Sequence, residues 1–172
     1  MLLTTVDRDM LIRDPEGYHR ALAVVKDQLG MISGFYPEFD GWFSSKVLPG
    51  LKNGERSILL EHTAGSLSGI AIVKRSASER KLCCLRVLPP YQGSGVGLRL
   101  FERAFDVLET RTPLLSVAEE QVANFDRVFN YYGFELAKEY QGLYRPKKKE
   151  FSFNGLLDSA ERRSPELIAL LP

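Results

Sequence analysis

The chain has 172 residues, of which 44% are apolar, and its formal net charge at pH 7 is +1. This size and apolar content suit one domain with a full hydrophobic core. The near-neutral charge gives no electrostatic footprint for nucleic acid, and no apolar run approaches the length of a membrane span. We therefore predict a single domain over residues 1–155, followed by a tail or short helix over 156–172.

The first residues and the two cysteines bear on cellular location. Residues 1–9 have neither the charged flank nor the long apolar stretch of a signal peptide. Cys83 and Cys84 are adjacent in a predicted strand, so their side chains should point to opposite faces and not pair with each other. We interpret both as small apolar core residues, and a reducing cytoplasm fits this pattern best.

Two helices are predicted in the first third of the chain. Apolar residues recur with helical spacing over residues 15–29, and Gly30 follows that run. A second helical segment, residues 37–51, is rich in aromatic side chains and is closed by Pro49-Gly50 and Asn53-Gly54.

Three strands follow. Residues 57–62 and 68–74 are short apolar runs joined by a Thr-Ala-Gly-Ser turn, which predicts an antiparallel hairpin. Residues 81–88 form the third strand, and an amphipathic helix over 95–109 comes after it. The apolar strand at 113–118 is reached through that helix, so the two strands should form a right-handed parallel crossover in a mixed sheet.

The last predicted elements are a helix and a hairpin. Residues 121–132 form the helix, which Gly133 ends. Residues 134–140 and 143–145 predict a hairpin around Gln141-Gly142, with 150–153 extending its second strand.

The loop between the third strand and its helix has the character of a diphosphate-binding turn. Residues 92–97 read Gln-Gly-Ser-Gly-Val-Gly. Glycine lets consecutive backbone N–H groups approach an anion without a Cβ clash, and the helix dipole adds positive potential there. A dinucleotide fingerprint would need a glycine at Leu98, and a P-loop would need Gly-Lys-Ser/Thr, which never follows.

This Gln-x-x-Gly-x-Gly run, after a strand carrying Leu85, Val87 and Pro89, resembles the acetyl-CoA motif of the GCN5-related N-acetyltransferase (GNAT) family. The resemblance covers residues 81–108 and continues more weakly through 124–134, which end in Gly-Phe. It implies an α/β fold whose mixed, mostly antiparallel sheet is splayed at the parallel strand-helix-strand unit and flanked by helices. It also implies acetyl-CoA as the cosubstrate.

The resemblance further assigns cofactor contacts. The pantetheine arm would pair with the backbone of the strand before the loop, and the diphosphate would take N–H groups of the loop. Asn124 would contact the pantetheine, with helix capping as the equal alternative. The residues assigned in this way are Leu85, Arg86, Val87, Gln92, Gly93, Ser94, Gly95, Val96, Gly97, Leu98 and Asn124.

Acetyl transfer to an amine needs a neutral amine, a polarised thioester carbonyl and a proton for the leaving thiolate. Glu119, at the exit of a strand, is the candidate base, and Glu61 is the alternative. Each could instead be an ordinary surface carboxylate without a catalytic role. The family's proton donor is commonly a tyrosine four residues before the Gly-Phe pair, where this chain has Phe129. Tyr132 lies one turn away on nearly the same helical face and is the substitute, with core packing as its alternative.

The family places acceptor recognition on its first two helices and its last strands. We assign Tyr36, Glu38 and Trp42 to substrate binding, as an aromatic wall with one carboxylate for a cationic amine. Helical spacing favours a core position for Trp42 and an exposed one for Tyr36 and Glu38.

We therefore predict an acetyl-CoA-dependent N-acetyltransferase that uses no metal and acetylates a primary amine of a small molecule, a protein or a charged tRNA. The neutral net charge disfavours the RNA acceptor without excluding it, no membrane partner is expected, and a homodimer is left open. Phe129 keeps open a non-catalytic acyl-CoA-binding regulatory module. The apolar run 167–171 keeps open an interaction protein whose glycine loop is empty.

Overall fold

The computed structural model describes residues 3–157, as two small sheets with helices on both faces. The strands are β1 (Leu3–Val6), β2 (Arg56–Thr63), β3 (Ser66–Arg75), β4 (Arg80–Val87), β5 (Leu115–Ala118), β6 (Leu136–Gln141) and β7 (Lys149–Phe153). The helices are α1 (Arg8–Arg13), α2 (Pro15–Gly30), α3 (Phe39–Trp42), α4 (Leu48–Asn53), α5 (Val96–Leu108) and α6 (Val122–Tyr132). The predicted terminal helix and the apolar run 167–171 lie outside the described residues.

The sheet topology confirms the predicted fold class. Strands β1, β2, β3 and β4 are antiparallel neighbours in that order, and β7 lies between β5 and β6 in the second sheet. The two sheets meet at one parallel bridge between Lys81 and Leu114, where the backbone N–H of Leu82 donates to the Leu114 oxygen over 3.0 Å. Between residues 3 and 157 these strands pair nowhere beyond that end, so β4 and β5 part toward their carboxyl ends.

A β-bulge shapes the middle of β4. Ile72 pairs with Cys84 and Val73 pairs with Leu82, which leaves Cys83 as the extra residue. A bulge breaks the alternation of side chains. Both cysteines therefore pack into the same core, and the expectation that they face opposite sides is wrong, although both are free and buried as predicted.

Each face of the sheet carries its own core. The helices α2, α3 and α4 cover one face with an aromatic core that includes Phe39, Trp42 and Phe43. The helices α5 and α6 cover the other face, where Phe101 and Phe125 pack edge to face with ring centres 6.4 Å apart. We call these the α2 face and the α5 face. None of the helices within residues 3–157 is long and apolar enough to cross a bilayer.

Three local expectations need correction. The second helical segment runs through a π turn at Phe43–Val47 and continues to Asn53. Pro49 does not end it, because Pro49 lies in the first turn of α4, where the missing backbone N–H of proline costs no hydrogen bond. Residues 143–145 form no strand, so β6 pairs with β7 across a longer loop, residues 142–148. The short strand β1 and the helix α1 were not predicted.

Candidate active site

A cleft of about 390 Å³ opens beside the glycine loop and the first turn of α5. Seven of the predicted cofactor residues line it, together with Phe101, Arg127 and Val128. Those seven are Val87, Gln92, Gly93, Gly95, Gly97, Leu98 and Asn124.

The glycines of the loop serve two different needs. Gly93 and Gly95 have backbone φ angles of +72° and +81°, a region in which other residues are strained. Gly97 has no such angle, and a Cβ added there would meet only the Val87 methyl group at 3.5 Å. The fold therefore does not require glycine at 97, and its absent side chain leaves room for a molecule in the cleft.

An ion pair between a buried carboxylate and a half-buried arginine fixes the start of α5 against β2. Arg99 Nε donates to Glu61 Oε1 over 2.7 Å, and Arg103 lies 3.5 Å from the other carboxylate oxygen. The same Arg99 guanidinium donates to the Ser94 carbonyl at 3.4 Å, so it also holds the glycine loop. Glu61, the alternative base of the sequence analysis, is fully buried between these two guanidiniums on the α5 face.

The parting of β4 from β5 exposes strand backbone next to this cleft. The N–H of Leu88 donates to Ser68 of β3, and alternate residues of a strand direct their backbone groups to opposite edges. The backbone groups of Leu85 and Val87 are therefore directed toward the gap, and those of Arg86 toward β3. The Arg86 side chain crosses to the α2 face, where its guanidinium donates to the Gln28 carbonyl and burial lowers its pKa.

The first turns of α6 complete the cleft. The N-cap of this helix is Gln121, and the Asn124 amide donates to the Gln121 side chain over 2.9 Å, so Asn124 is not the capping residue. Arg127 follows one helical turn later, is exposed and lines the same cleft. The sequence analysis missed this cation, although its spacing of three residues from Asn124 puts both on one helical face.

Tyr132 and Phe129 lie deeper along α6. Tyr132 donates its hydroxyl to Glu102 Oε1 over 2.7 Å in an apolar groove of about 680 Å³, and burial raises the pKa of this tyrosine to about 12. Phe129 is buried and stacks on Phe125 and Phe134, at 5.0 and 5.2 Å between ring centres. The predicted donor hydroxyl thus lies in the groove next to the glycine cleft, and its role stays a prediction.

The three residues predicted to bind the acceptor differ in their exposure on the α2 face. Glu38 is exposed as expected, and Trp42 lies in the core, as its spacing favoured. Tyr36 is fully buried, so the prediction that it is exposed is wrong. Its hydroxyl is drawn inward because it donates to Glu150 Oε1 over 3.3 Å, and its ring packs edge-on against Tyr144.

Glu150 is a buried carboxyl group that the sequence analysis did not single out. It lies on β7 opposite Ala118, near the parted end of β5, and is only 4% exposed. The Ser116 hydroxyl donates to its Oε1 over 2.8 Å, and burial raises the pKa of Glu150 to about 8. No sequence pattern indicates this burial, because Glu150 shares the polar face of β7 with Ser152 while Phe151 and Phe153 form the apolar face.

The sequence matches no protein-family model and no curated protein at a significant level. Solved structures nevertheless share its architecture. A protein from Desulfovibrio desulfuricans, assigned as an acetyltransferase of the GNAT family, superposes with a TM-score of 0.56 over 88% of this chain and 97% of its own, at 13% identity. The chain has the GNAT fold.

Two further structures with this GNAT fold were solved with a ligand. An aminoglycoside 6'-N-acetyltransferase complexed with coenzyme A has a TM-score of 0.55 and 15% identity, over 92% of this chain and 100% of its own. A protein assigned as a streptothricin acetyltransferase from Bacillus anthracis, in complex with acetyl coenzyme A, has a TM-score of 0.53 and 15% identity. That match covers 62% of this chain and spans 65% of the Bacillus anthracis protein.

Glu119 follows the end of β5 and contacts the residues that begin β7. Its carboxylate accepts from the Lys149 N–H over 3.0 Å and from the Lys148 ammonium over 3.1 Å, and the Lys148 hydrogen bond lowers its pKa. Glu120 pairs with Arg145 over 2.6 Å, which lowers the Glu120 pKa to about 2. These pairs fasten the loop 142–148 that precedes β7, and Glu119 as a base stays a prediction.

Proposed function

We propose that this protein is an acetyl-CoA-dependent N-acetyltransferase that acts on a primary amine. The observation that carries the proposal is the junction of two features. A glycine-lined cleft at the positive end of α5 adjoins the gap where β4 and β5 part. An anion in the cleft and an extended arm in the gap would then be parts of one molecule.

The cleft suits the phosphorylated end of acetyl-CoA. The backbone N–H groups from Gly93 to Leu98 surround the start of α5, where the helix dipole favours negative charge. Arg127 adds an exposed cation to the lining of the cleft. Coenzyme A and acetyl coenzyme A in the two ligand-bound structures of the same fold support this choice of cosubstrate.

The gap suits the pantetheine arm and the reacting carbonyl. Leu85 and Val87 offer strand backbone along one edge, so an extended amide chain would pair with them as an added strand. A backbone N–H at that edge would also polarise the thioester carbonyl. The acceptor would then approach from the α2 face, near the exposed carboxylate of Glu38.

The acceptor is proposed only as a chemical class. An antibiotic-like amine, a polyamine, a protein amino group and a charged tRNA all present a primary amine to such a site. A cytoplasmic location is part of the proposal, because both cysteines are free and buried.

A second function, acyl-CoA binding without turnover, is favoured by one observation. Phe129 stands at the family's donor position with its ring in the core, and the Tyr132 hydroxyl is engaged by Glu102. A site without a proton donor could hold the cosubstrate as a regulatory ligand. The thiol of coenzyme A, however, is acidic enough that its thiolate leaves with little help.

The test is release of free thiol from acetyl-CoA with a panel of amines. The panel contains kanamycin, streptothricin, spermidine and an alanyl peptide, with calorimetry of acetyl-CoA binding alongside. We expect thiol release that depends on both acetyl-CoA and at least one amine, with the acetylated amine confirmed by mass spectrometry. Binding without release would favour the regulatory module, and absence of binding would reject both functions.

A further inference from the structure

Glu150 stands at the open end of the gap, on the acceptor side. Strand β7 pairs with β5 in a register that sets Glu150 opposite Ala118, while the β4–β5 bridge lies at Leu114, at the other end of the strand. The carboxyl group is therefore next to the part of the gap where β4 and β5 have separated.

The partners of Glu150 connect both sides of this gap. Ser116 donates to it from β5, and Tyr36 donates to it from the loop after α2. Tyr36 packs in the same core as Cys84 of β4, so its hydroxyl reaches from the β4 side to β7. The Ser116 and Tyr36 hydroxyls both donate to Oε1, and Oε2 takes neither of these two bonds.

We propose that Glu150 is the base that accepts a proton from the ammonium group of the acceptor. This inference rests on the proposed transferase function. The first ammonium proton passes to the Glu150 carboxylate, which leaves a neutral amine with a free electron pair. The nitrogen then forms a bond to the acetyl carbon while the carbon–sulfur bond breaks, and the second proton released by the nitrogen ends on the coenzyme A sulfur.

The environment of Glu150 favours proton uptake more than the environment of Glu119 does. Burial raises the pKa of Glu150 to about 8, whereas hydrogen bonding lowers the pKa of Glu119. A carboxylate with a pKa near the working pH is a better general base than one that stays ionised in acid. The titratable and charged groups that face it are Tyr36 from the α2 loop, Lys81 from β4 and Arg145 from the loop before β7. Cys84 of β4 and Tyr144 of that loop face Tyr36 in turn.

The test compares Glu150→Gln with the parent protein and with the control Glu139→Gln. Glutamine keeps an oxygen that accepts from Ser116 and Tyr36 but cannot take up a proton. Glu139 is an exposed carboxylate on β6 paired with Lys149. Kanamycin and spermidine serve as protonated acceptors, and hydroxylamine serves as a nucleophile that is already neutral at pH 7.5.

We expect Glu150→Gln to lower kcat/KM for the amines by about 100-fold or more, the usual contribution of a general base. Its acetyl-CoA affinity and its transfer to hydroxylamine should stay within about threefold of the parent, and Glu139→Gln should leave all three unchanged.

Two results overturn the base role alone. They are unchanged amine transfer in Glu150→Gln, and equal losses with amines and hydroxylamine in a protein that still binds acetyl-CoA. A parent protein that binds acetyl-CoA but acetylates neither the amines nor hydroxylamine overturns the transferase proposal itself, and this outcome is distinguishable because it appears in the parent before any substitution.

Discussion

The proposed cofactor side and the proposed acceptor side of this molecule are built in different ways. The glycine cleft uses the backbone of one contiguous loop, residues 92–98, at the start of α5. The acceptor side joins Tyr36, Ser116 and Glu150 through side-chain hydrogen bonds, across 114 and 34 residues of sequence. A site made of contiguous backbone is specified by local spacing, whereas a site made of distant side chains depends on the whole fold being correct.

The largest effect should come from filling the cleft. Gly97→Val places a side chain in the lining of the cleft, where its Cβ makes only an ordinary contact with Val87, and it should weaken acetyl-CoA binding by about 100-fold, or about 2.8 kcal/mol. Gly97→Ala should give a smaller loss in the same direction. Calorimetry would measure both.

Gly30→Val is the matched control for this experiment. A Cβ at Gly30, at the end of α2, meets nothing within 4 Å, and Gly30 is outside the cleft. Its acetyl-CoA affinity should equal that of the parent. If Gly97→Val folds and binds acetyl-CoA as tightly as Gly30→Val, the cofactor does not occupy this cleft.

The second effect concerns stability and pH. The folded state raises the pKa of Glu150 from 4.5 to about 8, so the folded protein holds a proton that the unfolded chain releases between these values. The stability from the protonated carboxyl is fully present below pH 4.5 and is lost as the pH rises through about 8. Glu150→Gln should therefore be more stable than the parent at pH 9, by a few kcal/mol at about 1.4 kcal/mol per pKa unit.

Thermal unfolding at a series of pH values would measure this difference. The melting temperatures of parent and Glu150→Gln should be closest at and below pH 4.5, separate as the pH rises from 4.5 to about 8, and differ by a constant amount above that. A variant that is less stable than the parent at pH 9 would show that the charged carboxylate is well accommodated, against its burial in the structure.

A smaller effect is expected at the acceptor entrance. Glu38→Gln should raise the Michaelis constant of a cationic amine by about two- to fivefold, the worth of an exposed ion pair, and leave acetyl-CoA affinity unchanged. Steady-state kinetics with kanamycin would measure the first constant, and calorimetry the second. An equal loss for both ligands would assign Glu38 to support of the fold.

The smallest effect is expected at Tyr132. Removing the hydroxyl of a proton donor would lower turnover by about 100-fold. Because this hydroxyl donates to Glu102 in the groove beside the cleft, we expect Tyr132→Phe to keep turnover within about twofold of the parent. Thiol-release kinetics would decide, and a loss near 100-fold would establish the donor role that the sequence suggests.

The difference between the two sides also explains what the sequence could predict. The glycine spacing, the amphipathic helix after it and the parallel crossover are local patterns, and the structure reproduces all three. The cysteine orientation failed because a bulge at Cys83 changes which face a strand residue occupies. No local pattern signals a bulge in this strand.

The acceptor side was harder to predict because its polar groups satisfy one another. From the sequence, Tyr36 is predicted to be an exposed loop residue. In the structure it is buried, because Glu150 accepts a hydrogen bond from its hydroxyl. The segment 143–145 has strand-forming residues, but Tyr144 packs on Tyr36 and Arg145 pairs with Glu120, which holds it in a loop. Such contacts depend on segments far apart in the chain.

A crystal structure of this protein with acetyl-CoA would show whether the cofactor occupies the glycine cleft and the gap between β4 and β5. We expect the diphosphate to accept hydrogen bonds from the backbone N–H groups from Gly93 to Leu98. The pantetheine should lie beside Leu85 and Val87, and the acetyl group should point to the α2 face near Glu150. An acetyl group that ends on the α5 face, or a diphosphate bound away from the glycine loop, would contradict this expectation.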